Sequence, residues 1–327
     1  MLNSVVKQKV IGVDVGVVKT SIALVDIRGS ILAQDAMNTK DYPSVSSFVE
    51  ALSERIIQLA EQNSGYETIR SVGISVPSGN YVTGCIENAA NMPWKGVVPL
   101  AAMLRDSVGL AVALGNDAHV TALGEYVYGS AHGMENFIAI SLGHGGIGSC
   151  FFSNGMPYLG SGGFAGEIGH TCVEENGRLC TCGRRGCLEE YASDRGILLT
   201  ARQLMDASDS PSLMRDLPEL TPLAIGHCAD QGDALAKEVW HVTGEVLGRA
   251  LANYASMVNP EAIILTGELT EVCQWLIPPL QESFDANVFH NLRNRMKLIV
   301  STIPNRERDV LGASALAWTV KEYSLFL

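Results

Sequence analysis

The densest run of potential chemistry in this chain is GEIGHTCVEENGRLCTCGRRGCLEE, residues 166–190. Cys180, Cys182 and Cys187 lie within eight residues, separated by glycines, and His170 stands ten residues upstream of Cys180. Three thiolates and one imidazole make a closed Cys3His zinc site, which is structural because no coordination position is left open. Cys172 is a substitute ligand on spacing alone, and the bland reading is a set of reduced cysteines holding nothing. Glu167 precedes His170 by three residues and Glu189 follows Cys187 by two. Carboxylate oxygens accept hydrogen bonds from sugar hydroxyls, so acids stiffened by a metal suit a polyhydroxylated ligand; on an unliganded loop they would only be solvated charges.

Two further carboxylates end apolar strands. Asp117 closes GLAVALGND and opens the helix-like AHVTALGEYVYG, the strand-to-helix junction at which α/β sheets present functional groups. There it suits the role of base toward an attacking hydroxyl, as phosphoryl transfer to an alcohol requires. Asn116 or Asp117 also suits the ordinary role of helix cap, and the two roles are compatible. Asp14 ends the first strand in GVDVGVVKTSIALVD. It could hold the hydrated magnesium of a nucleotide while Gly16 lets backbone amides approach phosphate; alternatively, DVG is only a strand end and a hairpin turn.

The elements that must position these groups follow from periodicity. Residues 9–36 alternate as three short strands with turns at Gly16 and at Arg28-Gly29, an antiparallel meander. A helix over YPSVSSFVEALSERIIQLAEQ and a strand over SVGISVP come next. The pattern then repeats: NFIAISLG, the glycine turn HGGIG, SCFFSNG and MPYLG form a second meander, which implies an internal duplication into two related lobes. A long helix, DALAKEVWHVTGEVLGRALANYASMV, carries Gly244 and Gly248 four apart and precedes the strand AIILT, and a helix over DVLGASALAWTVKEY ends the chain.

At 327 residues the chain has room for two cores. Its formal charge of −12 opposes non-specific attraction to nucleic acid or an anionic membrane surface. No run of eighteen apolar residues suggests a spanning helix, and the N-terminus lacks a signal-peptide pattern, so a cytoplasmic location is expected. The eight cysteines then read as metal ligands or core residues rather than as disulfides.

In this order the motifs resemble the ROK family of repressors, open reading frames and kinases over nearly the whole chain. The resemblance rests on GVDVG…KTSIALVD, PWKGVVPL, NDAHVTALGE, GEIGH, CTCGRRGCLEEYAS, NPEAIILTGEL and GASALA, the cysteine stretch being the most specific. It implies an α/β, actin-like (ribonuclease-H-like) duplicated two-lobed fold with a zinc-binding loop. The lobes are expected over 1–118 and 119–312, with the zinc loop at 166–190 in the second and the helix of 313–327 returning to the first. It also implies ATP-dependent, magnesium-dependent phosphorylation of a hexose or N-acetylhexosamine.

Carried over by position, Asp117 is the general base, and Asn91, Asn116, Glu167, His170 and Glu189 contact the sugar. His170, Cys180, Cys182 and Cys187 ligate zinc. Asp14, Gly16 and Lys19 belong to the first phosphate-and-magnesium turn, Gly143, His144 and Gly145 to the second, and Gly267 lies near adenosine. The expected partners are a sugar and ATP, without nucleic acid or membrane, in a homodimer or homotetramer.

The sequence departs from the family pattern only on the nucleotide side. Val17 and Val18 replace a glycine and a threonine of D-x-G-G-T-K, His144 replaces a threonine, and Glu268 follows Gly267 where another glycine is usual. Valine disfavours positive φ and offers no hydroxyl to phosphate. The alternative is therefore a catalytically impaired sugar-binding or regulatory protein. Only about ten residues precede the first strand, too few for the helix-turn-helix domain of such repressors.

Overall fold

The computed structural model describes residues 7–63, 65–143 and 145–320. Its first elements are β1 (Lys9–Val15), β2 (Lys19–Asp26), β3 (Ile31–Asn38), α1 (Val45–Asn63), β4 (Ile69–Val76), the short strands β5 (Gly79–Asn80), β6 (Cys85–Glu87) and β7 (Val97–Val98), α2 (Leu100–Val108), β8 (Ala111–Asn116) and α3 (Asp117–Val127). They continue as β9 (Phe137–Gly143), β10 (Gly146–Ser153), β11 (Met156–Pro157), α4 (Glu189–Ala192), α5 (Asp194–Asp206), α6 (Pro222–Asp230), α7 (Ala234–Val258), β12 (Ala262–Thr266), α8 (Cys273–Asn287), β13 (Lys297–Val300) and α9 (Asn305–Thr319). No helix among the described residues is long and apolar enough to cross a membrane.

The two five-stranded sheets have the same plan, β3-β2-β1-β4-β8 and β11-β10-β9-β12-β13. In each, an antiparallel pair joined by a glycine-bearing turn adjoins two parallel strands. The duplication read from the two meanders thus extends to the parallel strands beside them.

In the first unit β1 is buried on both faces, and its side chains sort with period two. Ile11, Val13 and Val15 enter a core with Phe48, Leu52 and Ile56, the apolar stripe of α1. Val10 faces the other way, toward Val310, Leu311 and Ala317 of α9. Glycine is required where α9 presses on the sheet. A Cβ on Gly73 would sit 2.0 Å from the Ala313 carbonyl oxygen and 2.7 Å from the Ala317 nitrogen. Both are helix backbone and cannot step aside, so Gly73→Ala should cost about 3 kcal/mol, the upper part of the overpacking range. A urea melt of the variant checks this.

The compact units divide the chain elsewhere than at residues 118 and 312. The first comprises 7–133, 156–165 and 302–320 of the described residues, the second 134–155 and 166–301. Helix α3 stays with the first unit because it covers the same sheet face as α9. A Cβ on Gly124 would lie 3.0 Å from the Gly312 Cα, and Trp318 Nε1 donates to the Tyr128 hydroxyl at 3.0 Å. Segment 156–165 is tied there by Asn80 Nδ2 donating to the Gly162 carbonyl at 3.2 Å and by His119 Nε2 lying 3.3 Å from the Ala165 carbonyl. The expected terminal helix begins earlier, at Asn305 after Pro304, and ends at Thr319; its continuation past residue 320 lies outside the described residues.

In the second unit α7 buries Trp240 completely and lies against α8. Gly244 and Gly248 explain the approach: added Cβ atoms would meet Pro279 Cγ at 2.7 Å and the Leu280 carbonyl oxygen at 2.3 Å.

Candidate active site

The parallel register lines up the C-terminal ends of the first unit's strands. Asp14 of β1 pairs with Ser75 of β4, and Ser75 with Gly115 of β8, so Asp14 and the Asn116-Asp117 junction share one sheet edge. Asn116 is the helix cap: its Oδ1 accepts from the Ala118 N–H at 2.9 Å. Asp117 Oδ1 accepts from the same N–H at 2.8 Å. With the cap supplied by its neighbour, Asp117 is not needed for that purpose.

Solvent reaches Asp117, yet protein surrounds it closely enough that burial is the main cause raising its pKa. The Ala118 N–H opposes this, Asp309 adds to it, and Arg308 and His119 act against it. Asp14 is half-buried, and its carboxyl is pushed up to about 8, first by burial and then by Asp309. The Ser75 hydroxyl lowers it, Asp117 raises it and Arg308 lowers it. Asp309 itself is gripped by Arg308, whose Nε and Nη2 donate to it at 2.7 and 3.2 Å. Three carboxylates thus share one guanidinium, a charge balance that a divalent cation would improve.

Asp309 is absent from the sequence-based site. Its only signal is an acidic residue just before GASALA, and α9 brings it to this edge from the far end of the chain.

Asn91 is exposed in the loop between β6 and β7. Buried neighbours anchor that loop: Trp94 packs on Phe48 with ring centroids 4.5 Å apart and donates from Nε1 to the Tyr42 carbonyl at 3.1 Å. The first glycine turn closes tightly, Gly16 N–H donating to the Lys19 carbonyl at 3.0 Å. Thr39 braces it, its Oγ1 donating to the Gly16 carbonyl at 2.8 Å and its N–H to the Val18 carbonyl at 2.8 Å. Neither Val17 nor Val18 has positive φ, so the turn accommodates valine without the strain expected of it. Val18 projects into solvent.

The second turn, between β9 and β10, has a different lining. His144 lies outside the described residues. A Cβ on Gly145 would meet open space. On Gly143 it would come within 1.8 Å of Glu268 Oε2, and on Gly146 within 2.3 Å of Glu189 Oε2. Glu189 Oε2 also accepts from the Ile147 N–H at 3.2 Å. Gly267 needs its glycine, having φ 99° and leaving a Cβ only 2.2 Å from the Leu142 carbonyl oxygen. Beyond it, Thr221, Leu223, Glu268, Leu269 and Val272 line a cavity of about 290 Å³.

The cysteine loop forms the expected four-residue set. The ligand atoms of His170, Cys180, Cys182 and Cys187 all lie within 4.8 Å of one another. His170 Nδ1 is 3.7 Å from Cys180 Sγ, and Cys182 Sγ is 3.6 Å from Cys187 Sγ. Sulfurs at about 2.3 Å from a tetrahedral zinc stand roughly 3.7 Å apart, close to the two separations just given, so this donor set could hold such an ion. The Arg184 backbone N–H, then its guanidinium, lower the Cys182 thiol to about 6, while burial and the neighbouring thiols push Cys187 up to about 12. A cation among them would favour both thiolates.

Cys172 is not one of the four; its Sγ lies 3.6 Å from the Glu174 carbonyl oxygen. Arg178 pins the loop to α4 and α5, donating to the Glu190 and Gly196 carbonyls at 2.6 and 3.0 Å. Glu167 is exposed at the start of the short turn that carries His170, and Glu189 opens α4.

The profile of the ROK family matches residues 10–320. The chain belongs to the ROK family. Its fold is the actin-like, duplicated two-lobed α/β fold that the motifs imply. This ROK chain is 31% identical over 325 residues to a glucokinase of Halalkalibacterium halodurans, covering 95% of itself and 94% of that protein. It is 28% identical to a xylose repressor of Caldicellulosiruptor bescii, with 94% of this chain and 77% of the repressor aligned. Among solved structures, a ROK family glucokinase from Streptomyces griseus in complex with glucose and AMPPNP superposes with a TM-score of 0.76 at 27% identity, over 95% of this chain and 99% of that one. These relatives support sugar phosphorylation and ATP binding as the general activity, and the repressor shows that sequences this similar also serve regulation.

Proposed function

We propose that this ROK chain transfers the γ-phosphoryl group of ATP to a hydroxyl of a hexose or N-acetylhexosamine. Asp117 takes the hydroxyl proton; the freed oxygen bonds to the γ-phosphorus, the bond from that phosphorus to the bridging oxygen breaks, and ADP leaves. The observation that carries this reading is Asp117 at the β8–α3 junction, with Asn116 supplying the helix cap. Asn91, Asn116, Glu167, His170 and Glu189 are the proposed sugar contacts. Asp14, Gly16 and Lys19 take the first phosphate turn and magnesium, Gly143 and Gly145 the second, and Gly267 the adenosine side. Zinc held by His170, Cys180, Cys182 and Cys187 is structural, and a homodimer or homotetramer is part of the same proposal.

The second reading, a sugar-binding regulator that does not turn over ATP, draws on the two carboxylates beside the second turn and on the similarity to the xylose repressor. Incubation with magnesium, ATP and a panel of hexoses and amino sugars separates the two. Sugar-dependent ADP is expected; calorimetric sugar binding without ADP would leave the regulator.

A further inference from the structure

We infer that Cys172 is an oxidation site of the cysteine loop: a hydroperoxide joins it to Cys187 as a disulfide and so removes one of the four metal donors. The inference rests on the zinc reading of that loop and goes beyond it, because Cys172 is not a ligand.

Backbone pairing sets the two residues face to face. Cys172 and Cys187 form an antiparallel bridge. The bonds beside it run from the Leu188 N–H to the Thr171 carbonyl at 2.9 Å and from the Val173 N–H to the Gly186 carbonyl at 2.8 Å. Bonds on the flanking residues mark the narrow type of antiparallel pair, with Cα atoms about 4.5 Å apart and both side chains on one face. That spacing lies within the disulfide window of about 4.4–6.8 Å. Gly186 holds the register. Its φ is 77°, and a Cβ there would run into the Glu174 carbonyl oxygen and stand 3.2 Å from Cys172 Sγ.

Access decides which sulfur reacts first. Cys172 is exposed and Cys187 buried, so an oxidant in solution meets Cys172. Cys182 is exposed as well, but it belongs to the donor set, where a bound cation shares its lone pair. Turning the Cys172 sulfur to Cys187 costs a rotation about its Cα–Cβ bond and a weak S–H donation to the Glu174 carbonyl at 3.6 Å.

The Cys172 thiolate attacks one peroxide oxygen, the O–O bond breaks, and a sulfenic acid and hydroxide form. The Cys187 sulfur then attacks the Cys172 sulfur, the S–O bond breaks, and a second hydroxide leaves. The two sulfurs give up two electrons, and the peroxide takes them. Cys187 no longer offers a thiolate, which leaves three donors of a set that needs four. Exchange with a dithiol reverses the bond. Because Glu189 follows Cys187 by two residues, the loop's oxidation state also bears on the carboxylate proposed to hold the sugar.

The test treats the full chain, purified under reducing conditions, with hydrogen peroxide. Zinc release is followed with a metallochromic dye, and linked peptides are mapped without reductant, for wild type and Cys172→Ser. Serine at this exposed position leaves all four donors in place. Wild type should release zinc as a Cys172–Cys187 linked peptide appears, and dithiothreitol with added zinc should restore the metal. Release from Cys172→Ser should be slower by roughly tenfold or more, its attacked thiol being gone. Equal release rates, or a map dominated by Cys182 linked to Cys187, would overturn the role of Cys172 and leave the metal site standing. A reduced wild type that holds no zinc would overturn both.

Discussion

Asp117→Asn should lower sugar-dependent ADP formation by about 10²- to 10⁴-fold, the usual worth of a positioned general base, while the protein remains folded. Asparagine keeps the acceptor for the Ala118 N–H, and Asn116 still caps α3. Nothing in the helix start depends on the lost charge. The stability effect runs the other way from the activity effect. A carboxyl whose folded pKa is raised contributes stability that is fully present below its unfolded pKa and is lost as pH rises through the folded value. At neutral pH the neutral asparagine should therefore melt no lower than wild type, which distinguishes loss of a base from loss of structure. An active Asp117→Asn enzyme would remove Asp117 from the reaction.

The same shift sets the pH profile. A base works ionised, so the acid limb of kcat/KM should fall above the ordinary carboxylate range of about 4. Asp309 acts on this only through its charge, raising both Asp117 and Asp14. Asp309→Asn removes that repulsion, and the acid limb should move to lower pH. A limb that stays in place would show that Asp309 does not act on the base.

Sequence patterning carried the sheets and the convergence of His170 with the three cysteines because both are written in local spacing. The meanders alternate over consecutive residues, and three thiols within eight residues need only a short loop to converge. What escaped it depends on distant packing. Asp309 reaches the Asp14 edge only because α9 crosses β1 and β4, and Glu268 meets Gly143 only because β12 lies beside β9. Helix α8, for which no pattern was drawn from the sequence, contains Pro278 and Pro279; Gly244 on α7 leaves the gap that accommodates Pro279. That α3 groups with the first unit has a related cause. A helix that follows a strand tends to cover that strand's own sheet, and the small residues of α3 and α9 let the two pack over it together.

Removal of the metal should have the other large effect. Elemental analysis is expected to give about one zinc per chain, the count for one closed site, and Cys180→Ser or Cys187→Ser should abolish it. Both sulfurs are buried, so each variant also leaves a polar group in a space shaped for a metal–sulfur bond. Structural zinc is worth about 10–16 kcal/mol in isolated finger peptides, where it is the whole of the fold. Here the loop has other anchors: Arg178 holds it to α4 and α5, and the Leu188 N–H donates to the Thr171 carbonyl at 2.9 Å. The loss should accordingly appear first as local opening, with rapid proteolysis between residues 171 and 187, and only later as a lowered melting temperature. Because Glu189 follows Cys187 by two residues and Glu167 begins the turn that carries His170, sugar affinity should fall along with that opening. A zinc-free wild-type protein with an intact loop and unchanged sugar binding would show that the thiols position nothing.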